Sequence, residues 1–345
     1  LMLLLAGTAS RAQTNYYVSP EGNDANPGTP ELPFRTVGRC VGAWNDTAQV
    51  NCHCNGVFNE EVVIRNGGPT PAQRNALIAW DTDGDGIRSD ETFVLDGEGT
   101  RNIAIDVAPG ARPDNVEIGW VEFRNYQPDG GCGNSSGAQF IRMNCYGPDG
   151  CADWLIHDNT FQRLAPFCNV ASGQVAIQPA NAPNLIVESN RFDSIGGFIM
   201  ANIQGAGIRF RNNIVGVVGT GISASSATID GMEVSGNIFN CDGNGINAAG
   251  SSATGPQNAI NFSDNVQGSV IRNNTFNDCI TCLYFGTTPE TGERDNSNHL
   301  VEGNIIRRSE RVTNRYVAPI VIKDKGGVSA RNGAAITVRD ITFRN

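Results

Sequence analysis

One asparagine recurs at the same place in six copies of a short pattern. The copies are 154–161 around Asn159, 185–192 around Asn190, 208–215 around Asn213, 232–239 around Asn237, 269–276 around Asn274 and 299–306 around Asn304. Each reads as an aliphatic residue, two polar residues, Asn, one residue and an apolar residue. The steps between the asparagines are 31, 23, 24, 37 and 30 residues. Steps near 23 set the length of one unit, and the longer steps are one unit plus an inserted loop. Two degenerate copies flank the set, with Val121 and Ile341 in the asparagine slot.

Alternating apolar residues on both sides of a fixed polar corner describe two short strands meeting at a turn. If the turns stack, each Asn lies above the last. The amides can then hydrogen-bond along the stack, and Asn tolerates the left-handed backbone such a corner needs. A unit this short cannot bury its own apolar face, so copies must stack to form a core. The pattern therefore predicts an all-β chain: a right-handed parallel β-helix, or solenoid, with an asparagine ladder at one corner. An antiparallel sandwich with incidental Asn turns is the alternative. Composition agrees with a turn-rich solenoid. Gly contributes 41 residues and Asn 38, while charged residues are only 17%, which disfavours a helix bundle.

The chain also resembles a family. Tyr16-Tyr17-Val18-Ser19-Pro20-Glu21-Gly22-Asn23-Asp24-Ala25-Asn26-Pro27-Gly28, followed by Pro33-Phe34-Arg35-Thr36, resembles the opening of pectate-lyase-like right-handed parallel β-helix proteins. The Asn corners resemble their turns. The resemblance covers about 16–345. It implies a short N-terminal capping helix within 34–44, although Gly38 and Gly42 weaken a helix there. It implies little about activity, because that family holds lyases, hydrolases, epimerases, adhesins and phage spikes.

The sharpest local motif is the run from Asp81 to Glu91, which reads DTDGDGIRSDE. Carboxylates at Asp81, Asp83 and Asp85, followed by Gly86, form the first half of an EF-hand-type calcium loop. Ile87 can supply a carbonyl, Ser89 an oxygen or a bound water, and Glu91 or Asp90 a closing carboxylate. Thr92 stands where the bidentate Glu would be expected. The motif lies between two probable strands, 76–80 and 93–97, so it reads as an inserted loop that holds structural calcium.

A lyase of the family the chain resembles would need calcium and a Lys or Arg base on one sheet of the solenoid. That sheet should include 102–107, 139–143, 175–178, 259–264, 283–285 and 320–324. Its outward residues are then Asp106, Arg142, Gln178, Asp264, Tyr284 and Lys323. Lys323, Arg142, Asp106 and Asp264 are weak catalytic candidates. Only two lysines exist, Lys323 and Lys325, both near the C-terminal end, and a solvated polar face explains the row better than a catalytic one. The paired Asp and Gly-His-Gly pattern of polygalacturonases is absent. The histidines His53, His157 and His299 are scattered, and the latter two fall in repeat strands as structural polar residues.

Net charge is −10. There is no basic stripe for nucleic acid and no phosphate-binding glycine loop. No run of apolar residues is long enough for a membrane helix. Residues 1–12 resemble the end of a signal peptide, with Thr8 where a lipid-bearing Cys would have to stand. Ten cysteines point to disulfides and an oxidising compartment. Cys52-His53-Cys54 and the pair Cys279 and Cys282 suit disulfides better than zinc. Cys132, Cys145, Cys151 and Cys168 would staple one long excursion.

The expected organisation is an apolar segment, 1–14, and a single β-helix domain, 15–345. Inserted loops should fall at 81–92, 126–152, 241–258 and 286–298. The expected role is that of a secreted or cell-surface, non-catalytic protein: structural, adhesive or self-assembling, with extracellular polysaccharide or itself as partner. A calcium-dependent polyuronate lyase is the alternative. Self-assembly would be head to tail and filamentous, with the apolar segment 1–6 covering an uncapped last turn at 335–345 in the next subunit.

Overall fold

The structure is a computed structural model. It describes residues 13–127, 137–145, 150–164, 174–201, 203–216, 218–224, 229–241, 258–263, 266–279, 281–286, 294–307, 320–323 and 336–344. The expected apolar leader, most of the loops expected at 126–152 and 241–258, Asp264 and the C-terminal half of the Lys323–Lys325 segment lie outside these residues.

Each named pairing between strands is parallel, and each strand pairs with its counterpart about one repeat away in sequence. The chain therefore winds as a right-handed parallel β-helix, the hand that parallel crossovers adopt. Three faces run along it. The first precedes the ladder corner and contains Val116–Gly119, Leu155–His157, Ile186–Glu188, Arg209–Arg211, Glu233–Ser235 and Val270–Arg272. The second follows the corner, with Glu122–Arg124, Ile214–Val215, Ile238–Asn240, Thr275–Asn277 and Ile305–Arg307. The third contains Val62–Ile64, Ile103–Val107, Gln139–Met143, Val175–Pro179, Asn258–Ser263, Thr281–Gly286 and Ile320–Lys323. This third face is the sheet expected from the sequence.

The ladder forms through all six asparagines. Asn213 shows the pattern. Its backbone N–H donates to Oδ1 of Asn237 at 2.8 Å. Its side-chain amide donates to the same oxygen at 3.1 Å and to the Val187 carbonyl of the preceding turn at 2.9 Å. Its own Oδ1 accepts the backbone and side-chain N–H groups of Asn190. Asn159, Asn190, Asn237 and Asn274 each donate to the next asparagine in the same way, the last of them to Asn304. Val121 joins by backbone alone, donating its N–H to Asn159 Oδ1 at 2.9 Å.

Two expectations about the corner are corrected. The left-handed residue is not the ladder Asn but the residue before it: Asp158, Ser189, Asn212, Gly236, Asn273 and Gly303 all have φ between 52° and 67°. That twist turns the next amide inward, where it meets its neighbours. Ile341 is not in the ladder slot either. The strand Ile336–Arg344 pairs with Arg294–Glu302 so that Ile341 faces His299 and Phe343 faces Val301. The alternation of apolar residues there fits two registers, and the one adopted lies five residues from the one expected. The strand Arg294–Glu302 also begins inside the expected loop 286–298.

The core is a column of stacked side chains inside the coil. Phe123, Phe161 and Phe192 stack face to face with ring centroids 4.8 Å apart, and Phe239 stacks on Phe276 at 5.1 Å. All are buried. Each buried Phe contributes roughly 1.5–3 kcal/mol of transfer free energy. The first turn is covered by a five-residue helix, Val37–Val41, within the expected capping segment. Thr36 caps it by accepting from the Arg39 N–H, and Glu60 accepts from the N–H groups of Val37 and Gly38. The Cys40–Cys52 disulfide ties this helix to the strand Val50–Cys54. Cys145 pairs with Cys151, and Cys241 pairs with Cys279. Cys54 and Cys282 are buried thiols, so neither short cysteine motif closes on itself.

The ladder makes a quantitative prediction. Asn237→Leu strands two donors on Asn213 and the Phe210 carbonyl, all buried. Each orphaned group costs about 1–3 kcal/mol. The variant should lose roughly 3–5 kcal/mol in denaturant unfolding. Asn304→Leu, at a half-buried rung, should lose clearly less. Equal losses below about 1 kcal/mol would show that the amides are not coupled.

Candidate functional site

The third face presents a row of polar side chains along the axis. Register places Asp106 beside Arg142 and Arg142 beside Gln178. Farther along, Ser223, Asn261 and Tyr284 stand side by side in the same fashion. Arg142 grips Asp106 with both arms of its guanidinium, Nε to Oδ1 at 2.8 Å and Nη2 to Oδ2 at 2.7 Å. Gln139 donates to the Gln178 side-chain oxygen next to this pair. Lys323 falls at the end of the strand Ile320–Lys323, opposite Gly286. Of the catalytic candidates among the described residues, Asp106 and Arg142 are brought together, and they are spent on each other. A guanidinium locked bidentately on a carboxylate is a permanent cation and a poor proton acceptor. Of the described residues of the row, Arg142, Asn261 and Tyr284 are half-buried and can exchange hydrogen bonds with a bound polymer, while Asp106, Gln178 and Ser223 are buried.

The acidic loop folds between the strands Asn75–Ala79 and Phe93–Asp96. Carboxylate oxygens of Asp81, Asp83 and Glu91 lie within 4.8 Å of one another. Local hydrogen bonds shape the turn. Asp81 accepts from the N–H groups of Gly84 and Gly86 at 2.8 and 3.0 Å, and both glycines have positive φ. Glu91 accepts from Thr82 and from the Asn55 side chain. Asp85 does not join the cluster; its carboxylate accepts from the Ile87 N–H at 2.6 Å. Ile87 and Ser89 are exposed. The third carboxylate of the cluster is Glu91 rather than Asp90. Three hard oxygen donors on a tight turn suit a calcium-like cation chemically.

A buried histidine cluster was not legible in the sequence. His157 lies between two carboxylates, with Nδ1 at 2.8 Å from Asp158 Oδ2 and Nε2 at 3.2 Å from Glu117 Oε1. Glu117 is a full turn away along the chain, so no local motif announces the contact. Burial by itself would push the imidazole down, but Glu117 and Asp158 outweigh it and hold its pKa above the usual value. His53 behaves oppositely. Burial and the nearby Arg88 charge push it down to about 4, with Asp81 opposing. His299 is buried and bonded to Asn296, a structural role like the one expected for both strand histidines.

No family model matches this chain, and neither does any curated protein. Solved structures do align with it. The complex of XylC with xylose aligns with a TM-score of 0.47 and 11% identity, covering 86% of this chain and 63% of that one. A GH136 lacto-N-biosidase from Eubacterium ramulus gives 0.39 and 11%, covering 96% and 68%. A rhamnogalacturonan lyase gives 0.40 and 13%, covering 94% and 89%. The chain thus spans just under two thirds of the length of the first of these.

The histidine cluster predicts a pH effect. Because the folded pKa of His157 is raised, its contribution to stability is complete below the unfolded value of about 6.5 and is lost as pH rises through the folded value. The difference in melting temperature between the native protein and His157→Gln should therefore be larger near about pH 5.5 than near about pH 9. A difference that grows with pH would contradict this.

Proposed function

We propose that this is an exported, non-catalytic β-helix protein that binds polysaccharide along its third face. The observation that carries this reading is two polar runs in strand register, Asp106–Arg142–Gln178 and Ser223–Asn261–Tyr284, in which Arg142, Asn261 and Tyr284 are half-buried and the other three buried. Adjacent strands are about 4.8 Å apart, so a linear glycan laid along the axis would meet the half-buried side chains of Arg142, Asn261 and Tyr284 at spacings set by the strands. The Asp106–Arg142 clamp favours binding over catalysis, since it ties up the arginine the row could offer as a base. Three disulfides among the described residues favour an oxidising, extracytoplasmic setting.

Calcium is part of the same reading. Asp81, Asp83 and Glu91 would hold the ion, and it would fix the loop rather than take part in chemistry. Charge favours this: three carboxylates this close repel one another until a cation lies between them.

Three measurements test these statements. The protein should slow in native gels containing polygalacturonate or another soluble polysaccharide, and Arg142→Gln should reduce the retardation at least about fivefold, or roughly 1 kcal/mol. With polygalacturonate or alginate plus calcium, ultraviolet absorbance should show no unsaturated product. Strong turnover would overturn the non-catalytic reading in favour of a lyase. Calcium should raise the melting temperature, by an amount equivalent to about 2.7 kcal/mol when the ion is a hundredfold above its dissociation constant. Asp81→Asn with Asp83→Asn should abolish the rise. A melting curve indifferent to calcium and to chelator would remove the metal from the description.

A further inference from the structure

We infer that the cleft between the acidic loop and the ladder corner is a saccharide-binding subsite built on Trp120, and that it takes a neutral pyranose. The inference rests on the polysaccharide reading only for the class of ligand. The surface is a different one, on the ridge between the first and second faces.

The first observation is the backbone of Trp120, which has φ +56°. This is the left-handed corner slot, which every other turn of the ladder fills with Asp158, Ser189, Asn212, Gly236, Asn273 or Gly303. Those are residue types that tolerate the conformation. A bulky aromatic is strained there. Such strain concentrates at functional sites, where the side chain rather than the backbone is wanted. Nothing about the corner itself asks for an indole.

The second observation is that the indole is held rigidly and left half exposed. Its ring stands edge-on to His157, centroids 4.6 Å apart at 84°. His157 is itself clamped between Glu117 and Asp158. Gly119 makes this packing possible, since a Cβ there would lie 2.7 Å from the imidazole ring. The Arg88 guanidinium sits 5.8 Å from the indole centroid and is anchored on the Ala79 carbonyl. A platform fixed before binding loses little entropy when a ligand lands on it.

The third observation is the cavity beside the ring. It has a volume of about 280 Å³ and is lined by Arg88, Ser89, Glu91, Trp120, Glu122 and Asp158 among others. That is room for a single sugar ring. Its carboxylates are already oriented. Glu122 is held by Gln162 at 2.6 Å and by Arg124 at 3.1 Å, and Asp158 is held by His157 at 2.8 Å. Fixed carboxylates accept hydrogen bonds from vicinal hydroxyls, while an indole face packs against the apolar C–H face of a pyranose. This combination of an apolar wall and a few convergent polar groups is that of a small-molecule site.

Charge then selects the sugar. Glu91, Glu122 and Asp158 line the cavity; Glu122 is already paired with Arg124 and Asp158 with His157, and Arg88 is the one cation in the lining. A neutral hydroxylated ring can donate to these carboxylate oxygens and accept from Arg88, whereas the carboxylate of a uronate would have to lie against them with Arg88 as its one charged partner. The ridge is therefore expected to reject the polyuronates that would suit the lyase alternative.

Saturation-transfer NMR on the full chain tests this, with the methyl pyranosides of glucose, galactose, mannose and xylose and with galacturonic acid as probes. At least one neutral pyranoside should receive saturation, chiefly at C–H protons of one ring face, and galacturonic acid should receive none. Trp120→Asn places in the slot the residue already present at 212 and 273. It should keep the melting temperature within a few degrees and weaken binding more than tenfold, while Trp120→Tyr should retain most of it. Arg142→Gln should leave this signal intact, which separates the subsite from the third face. Absence of transfer to every neutral pyranoside, preference for galacturonic acid, or undiminished binding by a folded Trp120→Asn would each overturn the inference.

Discussion

The amide of one buried asparagine per turn is the interaction on which the rest of the molecule depends. A parallel solenoid must turn its chain sharply while burying the backbone groups at the turn, and buried polar groups need partners. Each ladder amide answers this twice. Its oxygen accepts two N–H groups from one neighbouring turn, and its N–H₂ donates to the other neighbour and to a backbone carbonyl. A hydrophobic residue in the slot would leave those groups orphaned. Val121 is tolerated because only one accepting side chain, that of Asn159, lies against it.

Fixing the corner fixes everything registered to it. The residue after each Asn points outward and the next points inward, which stacks Phe123, Phe161 and Phe192 into one column. The same register carries polar side chains outward on the third face and pairs Arg142 with Asp106 across 36 residues of sequence. The left-handed residue before each Asn projects from the ridge, which is why a single substitution in that slot places an indole at the surface. The stack thus separates stability from recognition: inward positions and the ladder hold the coil, while ridge and outward positions are free to differ from turn to turn.

This division also explains what could be read from the sequence. The ladder, the third face and the loop between the strands Asn75–Ala79 and Phe93–Asp96 were legible because each rests on local spacing. The register of Ile341 was not, since alternation alone permits neighbouring registers and only pairing with the strand Arg294–Glu302 decides between them. The acidic loop was legible as a motif but not in detail: Asp85 turns to its own backbone and Glu91 takes the third position. The Cys241–Cys279 disulfide and the Glu117–His157 contact join residues a full turn apart, which no local pattern encodes, and cysteine spacing alone does not choose the partners of Cys40–Cys52 and Cys145–Cys151. Trp120 was in view all along within Ile118-Gly119-Trp120-Val121, but its meaning depends on knowing that the slot before the ladder is left-handed.

The ladder as a single cooperative spine is tested most directly by native-state hydrogen exchange of the backbone amides of Asn190, Asn213, Asn237 and Asn274. Each of these N–H groups donates to the next asparagine side chain. All four are expected among the slowest amides in the protein, exchanging with one common free energy equal to that of global unfolding. Four different free energies, or exchange as fast as that of the acidic-loop amides, would show that the corners open one by one and that the ladder is not what holds the turns together.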